Sequence, residues 1–193
     1  MSVTFKWDAI RQVPAEVLST DGAAIVEFAV SLPLLIVLVV GIFDFGGAFN
    51  LKQELNNAAR EAARFGAAQP TNDLCTTCAA PASVDAIRYV VDSYLQAARI
   101  NDCGLSGATI PSTGPPWIYT ASTGCSGTLT LAINRSLAVS ETVGGTQINL
   151  LCTKISVSAP YPWRFNNVIK LIARGSNSVL PNVGTDATAA NQD

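Results

Sequence analysis

The sequence contains no histidine, and charged residues make up only 13% of its 193 residues. The absence of histidine excludes imidazole-based acid–base catalysis, Ser–His and Cys–His nucleophile pairs, and metal sites that need an imidazole ligand. An average soluble domain has about a quarter of its residues charged, so charge is scarce here. The formal net charge of −2 argues against a nucleic-acid partner, because such proteins neutralise phosphates with an excess of lysine and arginine.

The apolar residues are concentrated near the N-terminus. Sixteen consecutive uncharged residues run from Phe28 to Phe43. Extended to residues 23–49, this segment is long enough for a helix that crosses about 30 Å of hydrocarbon. We therefore predict a transmembrane helix over residues 23–49, in contact with the lipid bilayer. The alternative is a buried core helix, which would need apolar partners on all sides.

A cleavable secretory signal is a second alternative for the same segment. Such signals begin with a basic region and carry small residues at a cleavage site after the apolar run. Here residues 1–21 contain two basic and three acidic side chains, and no such site closely follows the run. An uncleaved anchor, or a chain cut before the run, fits better.

One carboxylate, Glu27, lies at the start of the apolar helix, five residues after Gly22. A carboxylate in such a helix is expensive and marks a candidate functional site. The spacing resembles the processing site of type IV prepilins. That resemblance implies a prepilin peptidase that cuts after Gly22, so that residues 1–22 are a leader and Ala23 begins the mature chain. It also implies that Glu27 pairs with the free amino group of a neighbouring subunit. The alternative is that Glu27 only reaches the edge of the membrane.

The residues that follow Gly22 are similar to the N-terminal region of TadE-like proteins, the pseudopilins of tight-adherence (Flp) pilus systems. The matching pieces are Glu27-Phe28-Ala29, Leu32-Pro33-Leu34-Leu35, Gly41-Ile42-Phe43-Asp44-Phe45-Gly46 and Asn57-Ala58-Ala59-Arg60-Glu61-Ala62-Ala63-Arg64. The resemblance implies a minor pseudopilin in a bacterial inner membrane, with its C-terminal domain in the periplasm. The implied partners are the prepilin peptidase, other pilins or pseudopilins and the inner-membrane assembly platform. It implies neither enzymatic activity nor a cofactor.

The rest of the sequence predicts a small α+β domain. Apolar residues recur at helical spacing over residues 50–70, as a continuation of the first helix, and over Ser83–Ile100, with Ser83 as N-cap. We expect a long loop over Asn101–Gly127 in which Trp117 and Tyr119 are anchors. The remaining elements expected in the domain, residues 71–180, are strands over Thr128–Arg135 and Gln147–Ala159, a turn at Gly144-Gly145 and a bulge near Leu151. The apolar spacing over Phe165–Ile172 predicts a short helix, where the family resemblance would also allow a strand. These elements predict two helices and a small antiparallel sheet of two to four strands. Residues 181–193 are polar and predict a disordered tail.

All five cysteines follow the apolar segment and are candidate disulfide partners: Cys75, Cys78, Cys103, Cys125 and Cys152. Their pairing is open, since five cysteines form two bridges in fifteen ways. A Cys103–Cys125 bridge is slightly favoured because it closes the long loop. Cys75 and Cys78 have thiol-oxidoreductase spacing, although they lie in a loop and not at the start of a helix. A four-thiolate zinc site is also possible by count.

The sequence thus leaves three functions to compare. The first is the minor pseudopilin. The second is a membrane-anchored envelope binding protein that is not processed. The third is a tethered thiol oxidoreductase that uses Cys75 and Cys78.

Overall fold

The computed structural model describes residues 20–74, 80–109, 113–164 and 182–192. Packing contacts divide the chain into residues 1–42 and residues 43–193. The elements are, in order, α1 (Thr20–Ala67), α2 (Ala82–Ala97), a 3-10 turn (Leu105–Gly107), β1 (Trp117–Ala121), β2 (Leu129–Val143), β3 (Thr146–Ala159) and β4 (Val183–Ala190). The strands form one antiparallel sheet in the order β1-β2-β3-β4. The predicted α+β arrangement is confirmed.

The burial of the apolar side chains of α1 changes along the helix. Up to Phe49 most of its apolar side chains are exposed, whereas Leu55, Ala59 and Ala62 in its last turns are fully buried. These buried residues recur at three- and four-residue steps and therefore lie on one face of the helix. The helix ends at Ala67, three residues before Pro70.

The second helix presents its apolar face to the core through Val84, Ile87, Val91 and Leu95. The prediction that Ser83 is its N-cap is wrong, because the N-cap position is held by Pro81 and makes no side-chain cap. Instead, the side chain of Asp73, which precedes the helix in sequence, binds to its first turn. Its carboxylate accepts bonds of 3.0 Å from the Ser83 backbone N–H and from the Ser83 hydroxyl. A negative charge at this end is favoured by the helix dipole.

The sheet supplies the other side of the core. Leu129, Leu131 and Ile133 of β2 are fully buried, as their alternation predicted. The predicted loop over Asn101–Gly127 is wrong for Trp117–Ala121, which forms β1 and pairs with β2. Trp117 and Tyr119 are buried as expected, but as alternate residues of an edge strand. The strand has only five residues, and the Gly, Pro and Ser residues on both sides of it are typical of loops, so the sequence pattern did not indicate a strand.

The two central strands are joined at Gly144-Gly145, as predicted, and both glycines have positive φ. A two-residue hairpin turn requires this conformation, which glycine adopts without steric cost. The bulge expected near Leu151 lies in the partner strand instead. Between Asn134 and Leu137, β2 has one residue more than the opposing stretch of β3 from Cys152 to Lys154. β3 itself has no inserted residue: Ile148 and Leu150, which set the first parity, are exposed, whereas Ile155 and Val157 are buried in the core.

The predicted disordered tail over residues 181–193 is wrong for Val183–Ala190, which forms β4 and pairs with β3 from Cys152 to Ala159. After β4 the backbone continues to form hydrogen bonds, first with β3 and then with the end of α1. The Asn191 N–H donates to the Leu151 carbonyl at 2.8 Å, and the Gln192 N–H donates to the Ala67 carbonyl at 2.9 Å. Polar composition misled the prediction, because an edge strand with one solvated face needs few apolar residues. The predicted element over Phe165–Ile172 lies outside the described residues.

Candidate functional site

The predicted processing site lies at the N-terminal end of the described part of α1. Gly22 and Ala23, which flank the predicted cleavage point, both lie within α1. Glu27 follows about 7.5 Å along the helix axis and its side chain is exposed. An exposed segment of this kind is accessible to another protein.

The helix surface that follows is apolar and uncovered. Residues 22–67 include an 18-residue window with mean hydropathy 2.7, and 0% of that window is buried. The helix is therefore long and apolar enough to cross a membrane. Water is a poor environment for such a surface.

Three glycines near the end of this surface have different surroundings. A Cβ atom at Gly41 or Gly46 would meet nothing within 4 Å. A Cβ atom at Gly47 would collide with the hydroxyl oxygen of Tyr161. Gly47 therefore makes room for a residue of the domain, whereas Gly41 and Gly46 leave the helix surface open.

Residues 22–64 match the family model described as TadE-like protein. The resemblance is confirmed over this segment. The match includes Gly22, Glu27, the apolar helix and its continuation as far as Arg64, and it indicates a role in a Tad pilus system with association to other pilus components. No curated protein and no solved structure matches the chain.

Helix α1 contacts the domain at a cluster that we call the exit collar, formed by Asp44, Phe45, Gly47, Tyr161 and Trp163. The Tyr161 ring packs over Gly47, and its hydroxyl donates a hydrogen bond to the Asp44 carboxylate. The rings of Tyr161 and Trp163 meet edge to face at 4.9 Å, and those of Phe45 and Trp163 at 5.8 Å. Both distances lie within the range in which aromatic pairs attract.

The electrostatics of the collar follow from burial. Asp44 is only 2% exposed. Desolvation, and then the neighbouring Asp44 carboxylate, raise the pKa of Tyr161, while Arg164 opposes this shift. Tyr161 therefore stays protonated and remains a hydrogen-bond donor to the buried carboxylate. This is the contact that a buried charge requires.

The last turns of α1 pack closely on the domain. A Cβ atom at Gly66 would lie 2.7 Å from Ile87 and 2.9 Å from Thr153, so only glycine fits there without movement. The opposite side of the helix is polar. It lines an open groove of about 530 Å³ with residues Asn57, Arg60, Glu61, Arg64 and Tyr94.

A buried arginine holds the chain that follows the helix, and sequence reasoning missed it. The Arg135 guanidinium donates to the Gln69 carbonyl at 2.6 Å, to the Pro70 carbonyl at 3.1 Å and to the Ser83 hydroxyl. Asp73 lies 3.7 Å away and balances the charge. Arg135 lies at the β2 bulge and is 0% exposed. The sequence signal was its parity with Leu129, Leu131 and Ile133, which places it on the core face.

A pair of acidic side chains lies beside the disulfide. Burial, together with the neighbouring Asp102 carboxyl group, raises the pKa of Asp92 to about 6. A hydrogen bond from Asp92 lowers the pKa of Asp102. The Gln96 amide donates to Asp92 at 3.0 Å and to Asp102 at 3.4 Å. Two carboxyl groups that share one proton account for this pattern.

Cys103 and Cys125 form the favoured disulfide, with Cα atoms 5.4 Å apart. Cys152 is a free, buried thiol in β3. Cys75 and Cys78 lie outside the described residues. Within the described ranges, no group of three or more cysteine, aspartate or glutamate side chains is placed to hold a metal ion.

Proposed function

We propose that the chain is a minor pseudopilin that takes part in the assembly of a Tad-type adhesive pilus. In this proposal, residues 23–49 anchor it in a bacterial inner membrane and the domain lies in the periplasm. A prepilin peptidase removes residues 1–22, and the mature chain associates with other pilins and with the assembly platform. Its role is structural, and no reaction is carried out by its own side chains.

The observation that carries this proposal is the TadE-like match over residues 22–64. It begins at the glycine of the proposed cleavage site and includes the acidic residue that follows it. The apolar helix is uncovered by the rest of the described chain, which supports contacts with lipid before assembly and with neighbouring helices after it. Both environments are apolar, so the same surface serves in each.

Glu27 has a defined part in this assembly. Removal of the leader creates a positively charged amino group on Ala23. A carboxylate that is transferred to an apolar bundle is tolerated when a cation pairs with it, and it is costly when unpaired. We therefore propose that Glu27 of one subunit pairs with the amino group of the next. This contact selects the register of neighbouring helices.

The test is co-expression of the full chain with the prepilin peptidase of its own system, followed by mass spectrometry of the mature N-terminus. We expect Ala23 as the first residue, and loss of cleavage in Gly22→Leu. In the Glu27→Ala variant we expect loss of pilus assembly. Glu61→Ala is the matched control, because Glu61 is an exposed carboxylate farther along the same helix.

An intact N-terminus in cells that make pili would contradict the processing step. It would favour the unprocessed envelope binding protein instead. Normal pilus assembly by Glu27→Ala would contradict the proposed pairing even if cleavage occurs. A loss of assembly in Glu61→Ala as severe as in Glu27→Ala would show that negative charge on the helix is needed in general.

A further inference from the structure

The end of the apolar helix is surrounded by exposed aromatic rings. Phe43, the last residue of the uncharged run, is 73% exposed, Phe45 is 65% exposed and Phe49 is 62% exposed. Phe45 lies only about 3 Å beyond Phe43 along the helix axis. Tryptophan and tyrosine are the residues enriched at the boundary between hydrocarbon and water, because their rings are amphipathic, whereas these phenylalanine rings extend the apolar surface up to that boundary.

The domain adds a second aromatic group at the same level. The segment Tyr161–Arg164 follows β3 and places Trp163 against Phe45. Trp163 is partly exposed, and Pro162 and Arg164 are exposed. A tryptophan has an apolar ring and one N–H donor, so it suits an environment that is apolar on one side and wet on the other. An adjacent arginine can extend its charged group toward lipid phosphates.

Asp44 would normally set the end of the lipid-facing surface, because an exposed carboxylate draws water. Here the carboxylate is covered, since Tyr161 donates a hydrogen bond to it and packs over Gly47. The helix surface that remains exposed around this level is apolar as far as Phe49. The domain therefore removes a charge from the lipid-facing surface and supplies an aromatic ring in its place.

We propose that Phe45 and Tyr161–Arg164 form an interfacial anchor that lies in the headgroup layer of the bilayer. The occupant of this surface is lipid, because the surface continues the apolar helix and combines aromatic rings with a cation. The anchor fixes the depth of the helix and holds the domain at the membrane surface. This inference rests on the membrane anchoring in the proposed function, and it is independent of processing at Gly22.

The test uses the full chain in nanodiscs and measures quenching of tryptophan fluorescence by brominated lipids. The bromine atoms are placed either near the headgroup end of the acyl chains or near the terminal methyl group. Of the three tryptophans, Trp117 is buried in the core and Trp7 is removed by Trp7→Phe. We expect shallow bromines to quench Trp163 about two-fold more strongly than deep ones, because a tryptophan ring in the headgroup layer lies closer to them.

Two variants control this measurement. Trp163→Phe must abolish the lipid-dependent quenching while the emission of Trp117 reports that the core is intact. Tyr161→Phe keeps the ring but removes the donor to Asp44. We expect it to weaken shallow quenching because water then solvates the carboxylate, and we expect Asp44→Asn in the same chain to restore it.

Several results would overturn the inference. Absence of quenching at Trp163, in a chain that remains in the nanodisc, would refute the anchor and leave the pseudopilin proposal standing. Shielding of Trp163 from an aqueous quencher only at high protein-to-lipid ratios would assign the surface to a second copy of the chain. Release of the chain from the bilayer would refute the anchor and the membrane anchoring together. An uncleaved N-terminus would affect only the proposed function.

Discussion

Removal of the Arg135 side chain should destabilise the domain strongly, because it breaks a buried charged network. The guanidinium binds the carbonyls of Gln69 and Pro70, the Ser83 hydroxyl and, at 3.7 Å, the Asp73 carboxylate. In Arg135→Met these acceptors lose a fully buried cation, and Asp73 keeps its negative charge. Removal of one partner from such a network costs about 3–5 kcal/mol.

The expected effect can be measured by thermal unfolding of the full chain in detergent, with near-ultraviolet circular dichroism as the signal. In a domain of this size 1 kcal/mol shifts Tm by roughly 2–4 °C, so Arg135→Met should lower Tm by roughly 6–20 °C. Arg60→Met is the matched control, because Arg60 is exposed on α1 and its loss should change Tm by less than about 2 °C.

Asp73 provides a second measurement on the same network. Once Arg135 is absent, the Asp73 charge has lost its buried partner, so Asp73→Asn should cost less in the Arg135→Met background than in the native chain. Strictly additive losses for the two substitutions would show that they do not interact. Breaking the buried network should lower the free energy of unfolding by more than about 3 kcal/mol. A Tm for Arg135→Met within about 2 °C of the native value would therefore refute the role of Arg135 in holding the end of α1 against the sheet.

The other predictions concern the acidic pair, the disulfide and the collar. Asp92 keeps its proton in the folded state up to a pH of about 6, whereas its ordinary pKa is 3.8. The folded state therefore binds this proton more tightly than the unfolded state, and the free energy of unfolding falls as pH rises from 3.8 to about 6. Asp92→Asn should remove that slope and raise Tm by a few degrees at neutral pH, and an unchanged slope in pH-dependent unfolding would contradict the prediction. Replacement of Cys103 and Cys125 by serine opens a loop with a separation of 22 residues and should cost about 3 kcal/mol, measured by the same thermal unfolding with the reduced native chain as control. Gly47→Val should displace Tyr161 from the helix and increase cleavage by chymotrypsin after Trp163, whereas Gly46→Val, with open space at its Cβ position, should leave the cleavage pattern unchanged.

Much of the long helix and of the core follows from local patterns. The apolar run ending at Phe43 and the small residues at helical spacing beyond it identify α1, and strict alternation identifies the core face of β2. The Gly144-Gly145 pair identifies the hairpin because few other residues adopt its backbone conformation. In each case the determining interactions join residues close in the chain, so the sequence displays them directly.

Other features depend on residues distant in sequence. The polar strand Val183–Ala190 is held by β3, whose pairing residues begin at Cys152 and lie about thirty positions earlier. Ser83 carries a typical N-cap side chain, yet Asp73 and Arg135 recruit it for a different contact. The propensities of these segments are weak, and tertiary hydrogen bonding decides their structure.

Some features of the candidate site also follow from local sequence, whereas others depend on the tertiary structure. Gly22, Glu27 and the apolar helix are recognisable without any fold, because the candidate membrane span and the proposed processing motif are continuous in the chain. Folding was needed to bring Tyr161 and Trp163 to Asp44, Phe45 and Gly47, more than a hundred residues away. The physical reason is that covering a charge at the end of the apolar surface requires a side chain from elsewhere. The spacing of residues along the helix does not indicate which side chain of the domain covers the Asp44 carboxylate.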